Sequence, residues 1–119
     1  MTDDTQKLRI LILDDDRERH DWFDRHYAGH AVWHVYDVER MRRTMSKEMR
    51  FDIVQLDHDL GESENGLRAA QFIARDLEAR KHPLSCVVHS WNPAGAMRMV
   101  AELRDAGLTV MAHPFGRPR

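Results

Sequence analysis

Three stretches of the chain carry side chains able to do chemistry together: DDDR at 14–17, LDHDLG at 56–61 and HSWNPAG at 89–95, with a lone histidine at 113. Asp14, Asp15, Asp57 and Asp59 supply oxygen ligands, and acids packed closely repel unless a cation or protons neutralise them. Such a donor set favours a hard cation, Mg²⁺ first, while the neighbouring histidines leave Mn²⁺ open. His58, His89 and His113 are candidates for moving a proton or meeting a phosphate. Arg17 offers a guanidinium that matches phosphate geometry. In HSWNPAG, Asn92 is placed to cap a helix whose first residue is Pro93, so that Ser90, Asn92 and the Gly95 amide form a phosphate site at a positive helix end. A metal, an anion site and histidines together point to phosphoester chemistry.

These residues matter only if elements of the fold deliver them to one place. Short apolar runs at 8–13, 31–36, 51–56, 84–89 and 108–112 read as strands. Between them lie helical segments. One surrounds RHDWFDRHY and stops at Gly29, and VERMRRTMSKEM is capped by Asp37, with Val38, Met41 and Met45 on one face. LRAAQFIARDLEARK follows Asn65-Gly66 with Leu67, Ala70, Ile73, Ala74 and Leu77 on one face, and AGAMRMVAELRDAG closes at Gly107. The alternation predicts a parallel α/β sheet over one domain, 1–119, covered by helices on both faces. In such a sheet ligands bind beyond the carboxyl ends of the strands, where all three stretches fall.

The strand-one acid pair, Asp57, Ser90 and Pro114 resemble the receiver domain of response regulators, where two acids hold Mg²⁺ and an aspartate accepts a phosphoryl group. His113 stands where that family has lysine. The acid pair with an arginine, the LDHDLG stretch and the HSWNPAG stretch are similar to a specialised branch, the cyclic-phosphate processing receiver domains. The resemblance implies a flavodoxin-like sandwich of five parallel strands in order 2-1-3-4-5, lacking the fifth helix. It implies a metal-dependent phosphoesterase that hydrolyses a cyclic nucleotide or a 2′,3′-cyclic phosphate on a nucleic-acid end. Asp14, Asp15 and Asp57 would hold the metal; His58, His89 and Asp59 would be catalytic; Arg17, Ser90, Asn92, Gly95 and His113 would bind substrate. The rival reading is a non-enzymatic receiver-like module that binds a nucleotide or takes phosphate on Asp57. Without a fifth helix, strands three to five would expose an apolar face, a place for a second copy of the chain.

Other features have plainer readings. Net charge is −2, so bulk electrostatics do not favour nucleic acid. No apolar run is long enough to cross a membrane, and the acidic, polar start is unlike a secretory signal, which predicts a cytoplasmic protein. Cys86, the single cysteine, reads as a buried strand residue. His20, His26, His30 and His34 are expected on a solvated or partner-facing surface, Asp16 is expected to be solvated, and the methionines of AMRMVAEL are expected in the core. Extended backbone through QLDHDLG would point His58 away from Asp57 and Asp59. Trp91 either packs against the helix or stacks on a base.

Overall fold

A computed structural model describes residues 7–47, 50–60, 66–76, 83–90 and 92–113. Strands and helices alternate in the expected order: β1 (Arg9–Leu13), α1 (Arg17–His26), β2 (Ala31–Val35), α2 (Val38–Met45), β3 (Ile53–Leu56), α3 (Gly66–Arg75), β4 (Ser85–Val88), α4 (Pro93–Asp105) and β5 (Thr109–Ala112). The strands form one sheet in the order β2-β1-β3-β4-β5, parallel throughout. This is the flavodoxin-like receiver arrangement, with four helices among the described residues.

Side-chain alternation divides the sheet into two faces. Leu11, Leu13, Val54, Leu56, Cys86, Val88 and Val110 turn to one side, where Val38, Met41, Ala69, Ala70, Ile73, Met99 and Leu103 of α2, α3 and α4 bury them. Ile10 and Ile12 turn to the other side, under Phe23 of α1. Cys86 is buried in the larger core, as its strand position predicts, and burial pushes its thiol up to about 12. Met99 is fully buried, but Met97 is 72% exposed, because two residues apart on a helix face opposite ways. Not all the methionines of AMRMVAEL are therefore core.

On the α1 side, β4 and β5 present Ser85, Thr109 and Met111 to solvent and Val87 half-buried. Among the described residues this face is mixed in polarity. The segment at 114–119 and Leu77 lie outside the described residues, as do Trp91 and Gly61.

Capping sets where the helices begin. Asp16, Asp37 and Asn92 accept hydrogen bonds from the Glu18, Arg40 and Gly95 amides at 3.2, 2.7 and 3.0 Å. Asp37 and Asn92 act as the sequence predicts. Asp16 is not simply solvated: it makes Arg17 the first residue of α1, and that start decides which arginine meets the acids.

Candidate active site

The register lines up the site. Leu13 pairs with Val35 and Leu56, Leu56 with Val88, and Val88 with Ala112. One residue further on, the Asp14, Asp57, His89 and His113 amides each donate to the carbonyl of the neighbouring strand, at 3.2, 3.1, 2.9 and 2.8 Å. These four residues form one row on the carboxyl rim. By alternation they share the face of Ile10 and Ile12, beneath α1.

Asp14 is fully buried and is the centre of the cluster. Its Oδ1 accepts from the Asp16 amide at 2.8 Å and from Arg19 Nη2 at 2.9 Å. Its Oδ2 meets Arg19 Nε and His89 Nε2, both at 2.8 Å. Burial alone would raise its pKa, but the hydrogen bonds from His89, Arg19 and Asp16 outweigh it and hold the carboxyl at about 2.

Asp57 is the contrasting case. It is 4% exposed, and its Oδ2 accepts from Arg19 Nη2 at 3.5 Å. Burial, and then the charge of Asp14, push it up to about 7. Asp14, Asp57 and His89 each place a potential ligand atom within 4.8 Å of the others.

The arginine in this cluster is Arg19, not Arg17. Arg17 is exposed at the first turn of α1, and two residues along a helix is more than half a turn. Arg19 therefore turns to the sheet and also reaches Asp16 at 3.3 Å and Asp15 at 3.8 Å. Asp15 stands exposed on the rim. The hydrogen bond to Asp14 raises Arg19 above the ordinary arginine value, so its charge is permanent.

His89 is 2% exposed with both ring nitrogens engaged: Nε2 with Asp14, and Nδ1 with Gln55 Oε1 at 3.0 Å. Gln55 in turn donates to the Tyr27 hydroxyl at 2.8 Å. Burial pulls His89 below the ordinary histidine value. This placement makes His89, expected as a proton carrier, a buried holder of Asp14.

Of the four early histidines, His20 departs most from expectation. It is buried, stacked on Tyr36 at 4.1 Å between centroids, and its Nε2 donates to the Asp14 carbonyl at 2.8 Å. Its Nδ1 meets His34 Nδ1, and His34 Nε2 meets Asp24 Oδ1 at 2.7 Å. His20 therefore props the backbone of Asp14 from α1; it does not face solvent. Burial lowers its pKa.

The second half of the rim lies toward α4. His58 has the opposite parity to Asp57, and its ring lies over Gly95, where any Cβ would overlap the imidazole. His58 Nδ1 contacts Asp59 Oδ1 at 2.8 Å and lies 3.5 Å from Asn92 Nδ2. The backbone bends here, so His58 and Asp59 meet where extended geometry would have separated them. The bend is held by Gly66: its amide donates to the His58 carbonyl at 2.6 Å, and a side chain there would overlap the Asp57 carbonyl. The Gly95 amide is committed to Asn92, and His58 covers that residue, so the expected phosphate contact at Gly95 is replaced by seating for the histidine. Ser90 is buried and its Oγ accepts from the Asn92 amide at 3.1 Å. His113 is exposed at the end of the row.

Residues 9–105 match the sequence profile of the cyclic-phosphate processing receiver domain. The chain belongs to that family. The fold of this receiver domain is also that of solved response regulators. The phosphorylated cyanobacterial phytochrome response regulator RcpA aligns with a TM-score of 0.70 at 16% identity, over 91% of this chain and 80% of that one. The Mn²⁺-bound response regulator Rcp1 gives 0.69 at 13% identity, over 93% and 83%. The receiver domain of a signal transduction histidine kinase from Syntrophus aciditrophicus gives 0.65 at 18%, over 92% and 80%. No curated protein matches the chain. No helix among the described residues is long and apolar enough to cross a membrane.

The donor set of this receiver domain fits a divalent cation in a specific way. Asp57 is buried with too little positive charge beside it, which is what a cation would correct. Asp14 is at present held by the Asp16 amide, Arg19 and His89. Sequence reasoning missed Arg19, Gln55 and the prop from His20. Arg19 sits three and four residues after Asp16 and Asp15, a helical spacing that is a signal once α1 is known to start at Arg17. Gln55, a lone amide inside an apolar strand, was also a usable signal. Nothing in the sequence pairs His20 with Asp14.

Proposed function

We propose that this domain is a metal-dependent phosphoesterase that opens a cyclic phosphate, either a cyclic nucleotide or a 2′,3′-cyclic phosphate at a nucleic-acid end. The observation that carries this reading is the buried Asp14–Asp57–His89 cluster, with Asp57 raised to about 7 by burial and by the charge of Asp14. Asp14 and Asp57, with Asp15 at the exposed edge, would hold Mg²⁺, or Mn²⁺ in its place. When bound, that ion would neutralise the carboxylates and polarise a phosphoryl oxygen.

The chain's own residues have distinct tasks. His89 holds Asp14 from β4, and His20 holds its backbone from α1. His58 is the proton carrier, with its Nδ1 set against the Asp59 carboxylate at 2.8 Å. In ring opening, the oxygen of water bonds to phosphorus and one ester P–O bond breaks. The proton lost by water passes to His58, and the leaving alkoxide takes that same proton from His58, which returns to its starting state. Asn92 caps α4 and lies beside His58, which keeps the ring against Gly95. Arg17, Ser90 and His113 remain candidate substrate contacts along the rim.

A second reading rests on Arg19. A cluster that carries its own cation can bind a phosphorylated or cyclic nucleotide without turning it over. The test is a product assay with Mg²⁺ or Mn²⁺ on 2′,3′-cyclic, 3′,5′-cyclic and cyclic oligonucleotide phosphates, with His58→Ala and Asp57→Asn alongside. Multiple turnovers lost in both variants support the phosphoesterase. Saturable binding without products, or a single stoichiometric phosphoryl group on Asp57, selects the module.

A further inference from the structure

We propose that Arg19 is a displaceable internal cation: a divalent ion reaches Asp14 only by taking the place of the guanidinium, which then swings to the exposed rim. This rests on the metal-dependent reading above and adds to it a competitor within the chain. A carboxylate offers about four lone-pair positions. At Asp14 four contacts use them: the Asp16 amide and Arg19 Nη2 at Oδ1, Arg19 Nε and His89 at Oδ2. One contact must break before Asp14 can ligate anything else.

The three partners differ in how readily they can leave. The Asp16 amide is main chain, at the residue that caps α1. His89 is 2% exposed and is held at its other nitrogen by Gln55. Arg19 has a flexible side chain, 27% exposed, with other acceptors already in reach: Asp16 at 3.3 Å and Asp15 at 3.8 Å, whose side chains are 38% and 40% exposed. Two cations held by the same buried carboxylates repel, and burial enlarges that repulsion. The guanidinium is thus the group that yields. Its new position, on the rim beside Asp15, is where a phosphate would meet it, and a guanidinium freed from one carboxylate can take a phosphate oxygen pair in its place.

The experiment is a titration of the full chain with Mn²⁺, following free ion by electron paramagnetic resonance, for wild type, Arg19→Gln and Arg19→Met. Removing the internal cation is expected to tighten Mn²⁺ binding about tenfold in both variants, the scale of one partly screened charge interaction. Equal or weaker binding in folded variants overturns the proposal and leaves the metal-dependent reading standing. Absence of Mn²⁺ binding in wild type and variants alike overturns both. A measurement on wild type alone covers variants that fail to fold: the Arg19 Nε–H resonance is expected to shift and to exchange faster with water as Mg²⁺ is added. An Nε–H signal that stays fixed while the Asp57 signals move overturns the proposal.

Discussion

Asp14 Oδ2 and His89 Nε2 meet at 2.8 Å across the width of a strand. The two residues end β1 and β4, which are not neighbours: β3 lies between them and supplies Gln55 and Asp57. Asp14 and His89 close over β3 because all three strands end in register and turn the same parity toward α1. This contact joins the two halves of the sheet at the rim and fixes the carboxylate on which the site depends.

Removing His89 should therefore damage stability and not merely catalysis. His89→Ala deletes a buried ring, takes the contact from Gln55 Oε1 and removes one of the two contacts at Asp14 Oδ2. We expect a loss of about 2–4 kcal/mol in urea unfolding, the usual scale for a buried polar contact together with a cavity. His89→Gln, which keeps a polar group on that side, should recover part of it. A His89→Ala protein as stable as wild type would contradict the holding role.

The pH dependence of stability should single out Asp57. Its pKa is raised from 3.8 to about 7, so the folded state prefers the proton. Its favourable contribution is full below the unfolded value and is lost as pH rises through about 7. Asp57→Asn removes that loss. The variant should match wild type near pH 4 and exceed it at pH 8 by on the order of 2–4 kcal/mol. Asp14, held at about 2, works oppositely: its contribution is present above its unfolded value and lost as pH falls toward 2. The buried histidines are present in both proteins, so the difference between thermal unfolding curves isolates Asp57. Added Mg²⁺ should raise wild type toward the variant at pH 8.

Gly95→Ala separates stability from site geometry. Alanine near the start of α4 favours helix by roughly 0.5–1 kcal/mol relative to glycine. Its Cβ, however, would overlap the His58 ring. Unfolding free energy should change little, while His58 is forced off its seat. Altered His58 ring signals in NMR and a fall in kcat of at least about tenfold are expected. Unchanged His58 signals would show that the ring does not depend on this glycine.

Cys86 should be inert in the native protein. It is 1% exposed, and burial pushes the thiol up to about 12, so little thiolate forms at neutral pH. Its reaction with a disulfide reagent should proceed only as fast as the protein opens, and should become immediate in denaturant.

Much of this molecule was readable in one dimension. Local patterns do not depend on partners: apolar runs mark strands, Asp37 and Asn92 have the chemistry of caps, and a parallel sheet must deliver its strand ends to one rim. The sequence alone therefore placed Asp14, Asp57, His89 and His113 together there. It could not decide which of them would be buried, because that depends on which helix covers each face. The start of α1 at Arg17 turned Arg19, and not Arg17, toward the acids. The same helix buried His20 against Asp14 and closed His89 off from solvent. Parity at the end of β3 sent His58 the other way, to Gly95. Each of these outcomes joins residues that are distant in the chain or depends on helix phase, and only the packed sheet and helices bring such terms into play.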